Sequence, residues 1–307
     1  MKLAWLGICL VSKSIKKSHR HCRLSPTTKS PHAVIALSMT TECWEVEQKF
    51  AIPDATNDDD DVEERLKRAG MVRTSRTDMV DWYFDVPSKN YPLLRQDCWL
   101  RFRGKTNDDS TMIVGQWELK RGGDRPNETT TTTTSSSNSS SKVTVYQEIE
   151  GKDALYESQK IIAKFHERQS HNAPNRDTPD DDALSMYQNY SIPVPPVEIP
   201  GLTPLARIAT QRSSWKATSV SLPLKNLVVD LDSTDFGHSV GEVETVVDDP
   251  NQMEQAKNAL QNWLIEFLGK EALKGPPPMG KLEYYLSTQR PEILEILVEA
   301  GLLPSRS

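Results

Sequence analysis

The sequence predicts an α+β protein: a barrel of about eight strands with a charged lumen, covered on the outside by helices. Short segments recur in which one face of a period-two alternation is apolar and the other charged. Longer segments carry apolar residues at helical spacing, so an apolar surface must lie beneath them. Acids and bases both populate the charged faces, which suits a lumen that takes a charged ligand.

Residues 42–50, Glu-Cys-Trp-Glu-Val-Glu-Gln-Lys-Phe, set the pattern. As a strand they put Cys43, Glu45, Glu47 and Lys49 on one side and Trp44, Val46 and Phe50 on the other. Glu45 and Glu47 then stand roughly 7 Å apart at a rise of ~3.3 Å per residue. At an effective dielectric near 20, two carboxylates at that distance repel by roughly 2–3 kcal/mol. Water, Lys49 or a divalent cation must offset this. Alone, the segment reads better as a solvated edge strand; matching strands elsewhere decide against that.

After Pro53 and the acidic run Asp58–Asp61, residues 62–70 read as a helix with acids at its start and Gly70 as its stop. Met71–Asp85 reads as a strand pair ending in Trp82-Tyr-Phe-Asp85. In Asp97–Arg103, Trp99, Arg101 and Arg103 share one face, with Leu100 and Phe102 opposite. Gln116–Lys120 sets Glu118 and Lys120 against Trp117 and Leu119. The Thr/Ser/Asn tract of residues 122–141 cannot bury a core and reads as a disordered loop. Val143–Ile149 returns to strand, with Tyr146 and Glu148 together.

Leu155–Arg168 has helical spacing, and residues 169–204 form a polar, Pro-rich connector with a short helix expected around Ala183–Asn189. Ile208–Lys216 is a strand with Arg212, Ser214 and Lys216 on one face and Trp215 on the other. Leu227–Asp232 alternates Asp230 and Asp232 against Leu227, Val229 and Leu231. Gly241–Thr245 presents Glu242 and Glu244. Pro250–Leu268 is an amphipathic helix with Ala256, Leu260, Trp263, Leu264 and Phe267 in a stripe. Lys281–Leu286 and a helix over Pro291–Leu302 close the chain.

Were the charged faces outside, the apolar stripes of the helices would have nothing to cover. The economical arrangement lines a tunnel with charge and buries the apolar strand face under helices. A closed barrel of about eight strands leaves room for one small ligand. Several carboxylates converging without a cation would be strongly destabilising. Carboxylates select hard cations such as Mg²⁺ or Mn²⁺, and Arg and Lys suit a polyphosphate chain. A small anion with a divalent cation is therefore the expected ligand.

The 307 residues carry a net charge of −6, which argues for neither nucleic acid nor an anionic membrane as partner. The four cysteines have no metal-site spacing and make no disulfide framework. Residues 1–40 contain no Asp or Glu and a short apolar run too brief to span a membrane. They read as a disordered leader or a targeting segment outside the fold. The sequence leaves the compartment open between the cytoplasm and, where the segment targets, a mitochondrion or plastid. The expected division is leader 1–40, tunnel domain 41–290, and C-terminal helix and tail 291–307, in a monomer.

The motifs in order carry a resemblance. Glu45-Val-Glu-Gln-Lys49 is similar to the E-x-E-x-K signature of the CYTH, or triphosphate tunnel metalloenzyme, superfamily. Tyr83-Phe-Asp-Val-Pro87, Asp97-Cys-Trp-Leu-Arg-Phe-Arg103, Trp117-Glu-Leu-Lys120, Tyr146-Gln-Glu148, Arg212-Ser-Ser-Trp-Lys216, residues 229–237, Val240-Gly-Glu-Val-Glu244 and Lys281-Leu-Glu-Tyr-Tyr-Leu286 follow in family order. Together they resemble its thiamine triphosphatase branch, over about residues 42–290.

The resemblance implies an eight-stranded antiparallel barrel and Mg²⁺-dependent cleavage of the terminal phosphoanhydride of thiamine triphosphate, giving thiamine diphosphate and phosphate. By motif it implies metal ligands Glu45, Glu47, Asp230, Glu242 and Glu244. Lys49, Arg101, Arg103, Lys120, Arg212 and Lys281 would bind the triphosphate, with Glu45, Glu47, Lys49, Arg101 and Arg103 central to catalysis. Glu118 and Glu148 are expected to balance the bases. Trp99, on the face of Arg101, offers an indole to a thiazolium by cation–π attraction of roughly 0.5–2 kcal/mol. His238 stands where the family often has Tyr; on the face of Glu242, its alternatives are a ligand or proton carrier and a packing role at the rim, of which packing is expected. An inorganic tripolyphosphatase, a nucleoside triphosphatase and a non-catalytic polyphosphate-binding module are the alternatives.

Overall fold

The computed structural model describes residues 44–52, 61–106, 113–122, 143–169, 199–217, 226–270, 273 and 277–303. The leader, the Thr/Ser/Asn tract and most of the connector, with the helix expected around residues 183–189, lie outside the described residues. The strands are β1 (Trp44–Phe50), β2 (Met71–Asp85), β3 (Cys98–Thr106), β4 (Ile113–Gly122), β5 (Thr144–Glu150), β6 (Thr203–Ala217), β7 (Val228–Thr234) and β8 (Ser239–Val247). The helices are α1 (Val62–Arg68), α2 (Gly151–Gln169), α3 (Met253–Leu268), α4 (Lys281–Gln289) and α5 (Pro291–Glu299).

The strands close into a barrel in the order β1-β5-β4-β3-β2-β6-β7-β8, with β1 pairing β8 to complete it. Every pairing is antiparallel. The period-two reading thus holds: neighbouring strands place acids and bases opposite one another on the inner face, as in Lys49↔Glu242, Arg101↔Glu118 and Arg212↔Asp232, while Glu47 lies opposite a second acid, Glu244.

One element differs from expectation, and one left without a type by the sequence, Lys281–Leu286, takes a definite form. Met71–Asp85 is one 15-residue strand, not a strand pair. Its polar first half has turn-like composition, but the long partner β6 pairs with it from end to end. The mismatch is absorbed by register shifts at Arg73/Ser75 and Tyr83/Phe84. Lys281–Gln289 is a helix that Gly280 begins, with the Glu283 carboxylate accepting the Gly280 N–H at 2.8 Å. Elsewhere the boundaries shift only slightly. Asp61 caps α1 by accepting the Glu63 N–H at 3.0 Å, and a 3₁₀ turn over Pro250–Gln252 leads into α3.

Three apolar clusters hold the barrel. In the first, Leu66 of α1 and Leu260, Trp263 and Leu264 of α3 pack on Val46, Phe50, Val229 and Val243, the outer faces of β1, β7 and β8. In the second, Ala154, Ile161 and Ile162 of α2 cover Trp82, Phe84, Leu100 and Leu119. Each such large side chain, fully buried, contributes roughly 1.5–3 kcal/mol. The third cluster lies on the inner side. Ile208 pairs with Asp81 and Ala206 with Tyr83, so these residues share the lumen face. Leu282, Tyr285 and Leu286 of α4 and Leu294 and Leu297 of α5 pack with them. The lumen is therefore charged over part of its length only, and α4 packs against its apolar end.

Candidate active site

Alternation along β1 turns Glu45, Glu47 and Lys49 inward while Val46 and Phe50 anchor the strand in the outer core. Glu47 is fully buried. Its carboxylate pairs with the Lys49 and Lys120 ammonium groups. Lys49 also stands 3.3 Å from Glu242, and Lys120 3.4 Å from Glu45. Lys120 lies over the ring of Tyr146, 4.6 Å from its centroid.

Carboxylates outnumber the ammonium groups on this side, and burial together with that surplus raises several of them. Burial, and then the neighbouring Glu242, push Glu47 up to about 7. Burial and the charge of Glu45 push Glu148 up to about 7. Burial raises Glu45 too, with Glu244 adding to the shift against Lys120. Against the desolvation of burial, Lys49 and Lys120 hold Glu242 well below the usual carboxylate range.

The arginine side is balanced. Arg101 donates to Glu118 at 2.8 Å through Nε and approaches it at 2.7 Å through Nη2. Glu148 stands 3.6 Å from Arg101. Arg103 donates to both oxygens of Asp81, at 2.7 and 2.8 Å. Arg212 grips Asp232 through Nε and Nη2, both at 2.7 Å, and donates a third bond to Asp230. From α4, Lys281 reaches the same Asp232 at 2.7 Å. Despite desolvation, Arg103 and Arg101 hold Asp81 well below the usual range. Arg212 and Lys281 likewise bring Asp232 down to about 2.

The barrel thus brings Glu45, Glu47, Lys49, Arg101, Arg103, Lys120, Arg212, Asp230, Glu242, Glu244 and Lys281 to one inner surface. Lys281 arrives from a helix. Lys216, on the same face of β6, is exposed at its end. Sequence reasoning assigned no role to Asp81 and left Asp232 unassigned within its charged face. Asp81 was legible in principle, because Asp81, Tyr83 and Asp85 share one face of a segment otherwise made of Val80, Trp82 and Phe84. Asp85 departs from the lumen chemistry. It accepts the N–H groups of Val86, Leu93 and Leu94 at 2.8, 3.2 and 2.9 Å and ties down the loop between β2 and β3.

Trp99 is half-buried, opposite Lys120 in register, and packs at the edge of the cluster that contains Tyr83, Leu94 and Leu282. His238 is buried and stacks on Tyr284 with ring centroids 4.2 Å apart. Trp215 is fully buried in the first outer cluster, against which Trp44 packs, and Trp117 packs against the second from the apolar face of β4.

Among the described residues, no group of three His, Cys, Asp or Glu side chains is already gathered tightly enough to hold a metal. The donor set still fits a hard cation. Glu45 Oε2 and Asp230 Oδ1 are buried without a hydrogen bond, and Glu47 and Glu148 carry pKa values that a divalent charge would bring down.

Acids along β1 and β8, with bases facing them from β3, β4, β6 and α4, give the closed antiparallel barrel a charged tunnel. Residues 44–274 match the CYTH domain, and the chain belongs to the CYTH domain family. It is 28% identical over 259 residues to the thiamine-triphosphatase of Homo sapiens, covering 84% of this chain and 90% of that protein. It is likewise 28% identical over 260 residues to the thiamine-triphosphatase of Macaca fascicularis, with the same coverage. A solved Pyrococcus horikoshii protein is 17% identical, covers 80% of this chain and 99% of its own, and superposes with a TM-score of 0.41. The fold itself rests on the strand pairing above.

Proposed function

We propose that the chain hydrolyses the terminal phosphoanhydride of a small triphosphate in its tunnel, with thiamine triphosphate as the substrate. The observation that carries this is the division of the lumen. Surplus carboxylates collect on β1, β5 and β8, and Arg101, Arg103, Arg212, Lys120 and Lys281 face them. The thiamine assignment leans on the two relatives of that name.

Glu45, Glu47, Asp230, Glu242 and Glu244 would hold Mg²⁺ or Mn²⁺. When bound, the cation would neutralise phosphate oxygens and present water to the terminal phosphorus. The chain's own residues do the rest. Lys49, Lys120, Arg101, Arg103, Arg212 and Lys281 hold the phosphate chain extended and take up charge as the terminal group departs. Asp81, Glu118 and Asp232 keep three guanidinium groups aimed inward before substrate arrives, so little reorganisation is needed. Trp99 offers an aromatic face beside Lys120 for the thiazolium ring.

Phosphate release by the full chain, with Mg²⁺ or Mn²⁺ and equal concentrations of thiamine triphosphate, tripolyphosphate or ATP, tests the reading. The expected result is preference for thiamine triphosphate and a loss of at least about a hundredfold in kcat in Glu47→Gln. Faster release from tripolyphosphate or ATP would retire the thiamine assignment and keep the tunnel chemistry. Binding without turnover would make the protein a polyphosphate-binding module. Trp99→Ala should weaken kcat/KM for thiamine triphosphate about three- to thirtyfold and spare tripolyphosphate.

A further inference from the structure

We propose that His238 is a positioning residue: it pins the segment 277–281 across the end of the lumen and thereby sets where the Lys281 ammonium stands. The importance of Lys281 for the ligand rests on the triphosphate reading; the pinning does not.

His238 sits in the β7–β8 hairpin, and that hairpin is locked. The Thr234 N–H and hydroxyl both donate to the His238 carbonyl at 2.9 Å, and the His238 N–H donates to the Thr234 hydroxyl at 3.0 Å. From this fixed base the ring reaches the C-terminal segment in two ways. Nε2 lies 3.0 Å from the Met279 carbonyl oxygen. A carbonyl only accepts, so Nε2 carries the proton and donates. The ring face stacks on Tyr284 at an interplanar angle of 10°, and Phe236 of the same hairpin lies against Tyr284 and Tyr285.

The approach to α4 offers few backbone donors. Pro277 and Pro278 have no N–H to donate, and the Met279 side chain is 40% exposed. The next residue, Gly280, runs against the site: a Cβ there would stand 3.2 Å from Lys49 Cε. One residue on, Lys281 donates to Asp232, which also grips Arg212. Two anchors on one hairpin, the His238 imidazole and the Asp232 carboxylate, therefore bracket the two residues where the backbone enters the lumen. Losing the first leaves the entry to α4 set by the helix's own packing and cap and by the Lys281–Asp232 contact, without the hold on Met279.

The test uses the full chain. Hydrogen exchange is followed by mass spectrometry, and tripolyphosphate binding is measured by calorimetry without metal. His238→Phe keeps the stacked ring and removes the donor; His238→Gln keeps a donor. In His238→Phe, exchange over residues 279–284 should quicken about five- to tenfold with the barrel strands unchanged. His238→Gln should return most of that protection. Tripolyphosphate should bind several-fold more weakly to His238→Phe, and the same substitution should cost nothing further in a Lys281→Ala chain.

Unchanged exchange over 279–284 in His238→Phe would overturn the proposal, as would an equal loss of binding with or without Lys281. If His238→Phe loosens the barrel strands as well, His238→Gln decides, because protection at the wild-type level supports the donor's role and its loss overturns it. A wild-type chain that binds no tripolyphosphate would defeat the triphosphate reading, and exchange alone would then judge the pinning.

Discussion

Asp81 shows how a single carboxylate organises half of the site. It is fully buried, receives two hydrogen bonds from Arg103 and lies 4.0 Å from Arg101. Asp81→Asn would leave the buried Arg101 and the half-buried Arg103 short of a counter-charge. The expected cost is roughly 3–5 kcal/mol in urea unfolding, together with weaker tripolyphosphate binding. The pH dependence has a definite sign. The native pKa of Asp81 lies below its unfolded value, so its contribution is complete above the unfolded pKa of ~3.9 and fades as pH falls towards the native one. Asp232, brought down to about 2, acts in the same direction. Unfolding midpoints measured from pH 5 to pH 2 should fall, and fall less in Asp81→Asn than in the wild type. Alternation in the sequence could mark Asp81 as lumen-facing. It could not show that Asp81 meets Arg103, because that contact needs the pairing of β2 with β3.

At the scale of elements, β1 and β8 meet without space to spare. Gly241 lies opposite Phe50, and a Cβ at position 241 would stand 2.2 Å from the Phe50 ring. Phe50 in turn stands edge-on to Phe267 of α3. Gly241→Ala should therefore overpack the seam where the barrel closes and destabilise it by roughly 1–3 kcal/mol. Thermal unfolding checks this, and adding Phe50→Leu should recover part of the loss. Helix α3 was legible because Ala256, Leu260, Trp263 and Leu264 recur at helical spacing, and these are its buried residues. The unbroken β2 was not legible. Its polar first half reads locally as a turn, and only pairing with β6 overrides that preference.

Over the whole molecule, the lumen holds its acids at a cost that depends on pH. Glu47 and Glu148 are pushed up to about 7, first by burial and then by neighbouring carboxylates. Raised acids stabilise the fold below their unfolded pKa of ~4.3, and that contribution is lost as pH rises through about 7. Without divalent cations the protein should therefore lose thermal stability between pH 5 and pH 8, apart from the acid effect of Asp81 at lower pH. A cation competes with these protons. Mg²⁺ or Mn²⁺ should raise Tm at pH 8 by more than at pH 6, by several degrees when present at about a hundred times its Kd. Equal shifts at both pH values, or none, would count against the carboxylates as its site.

Taken by itself, the sequence determined which face of each strand is charged, where α1, α2 and α3 lie, and that acids and bases share one surface. These are local properties: a period of two or of 3.6 residues is written in the order of side chains. The tertiary structure alone decided the partners. It gave Arg103 to Asp81, gave Arg212 and Lys281 together to Asp232, and packed α4 against the apolar end of the lumen. Such choices depend on register between strands far apart in the chain, and a strand's own pattern is the same whichever neighbour it meets.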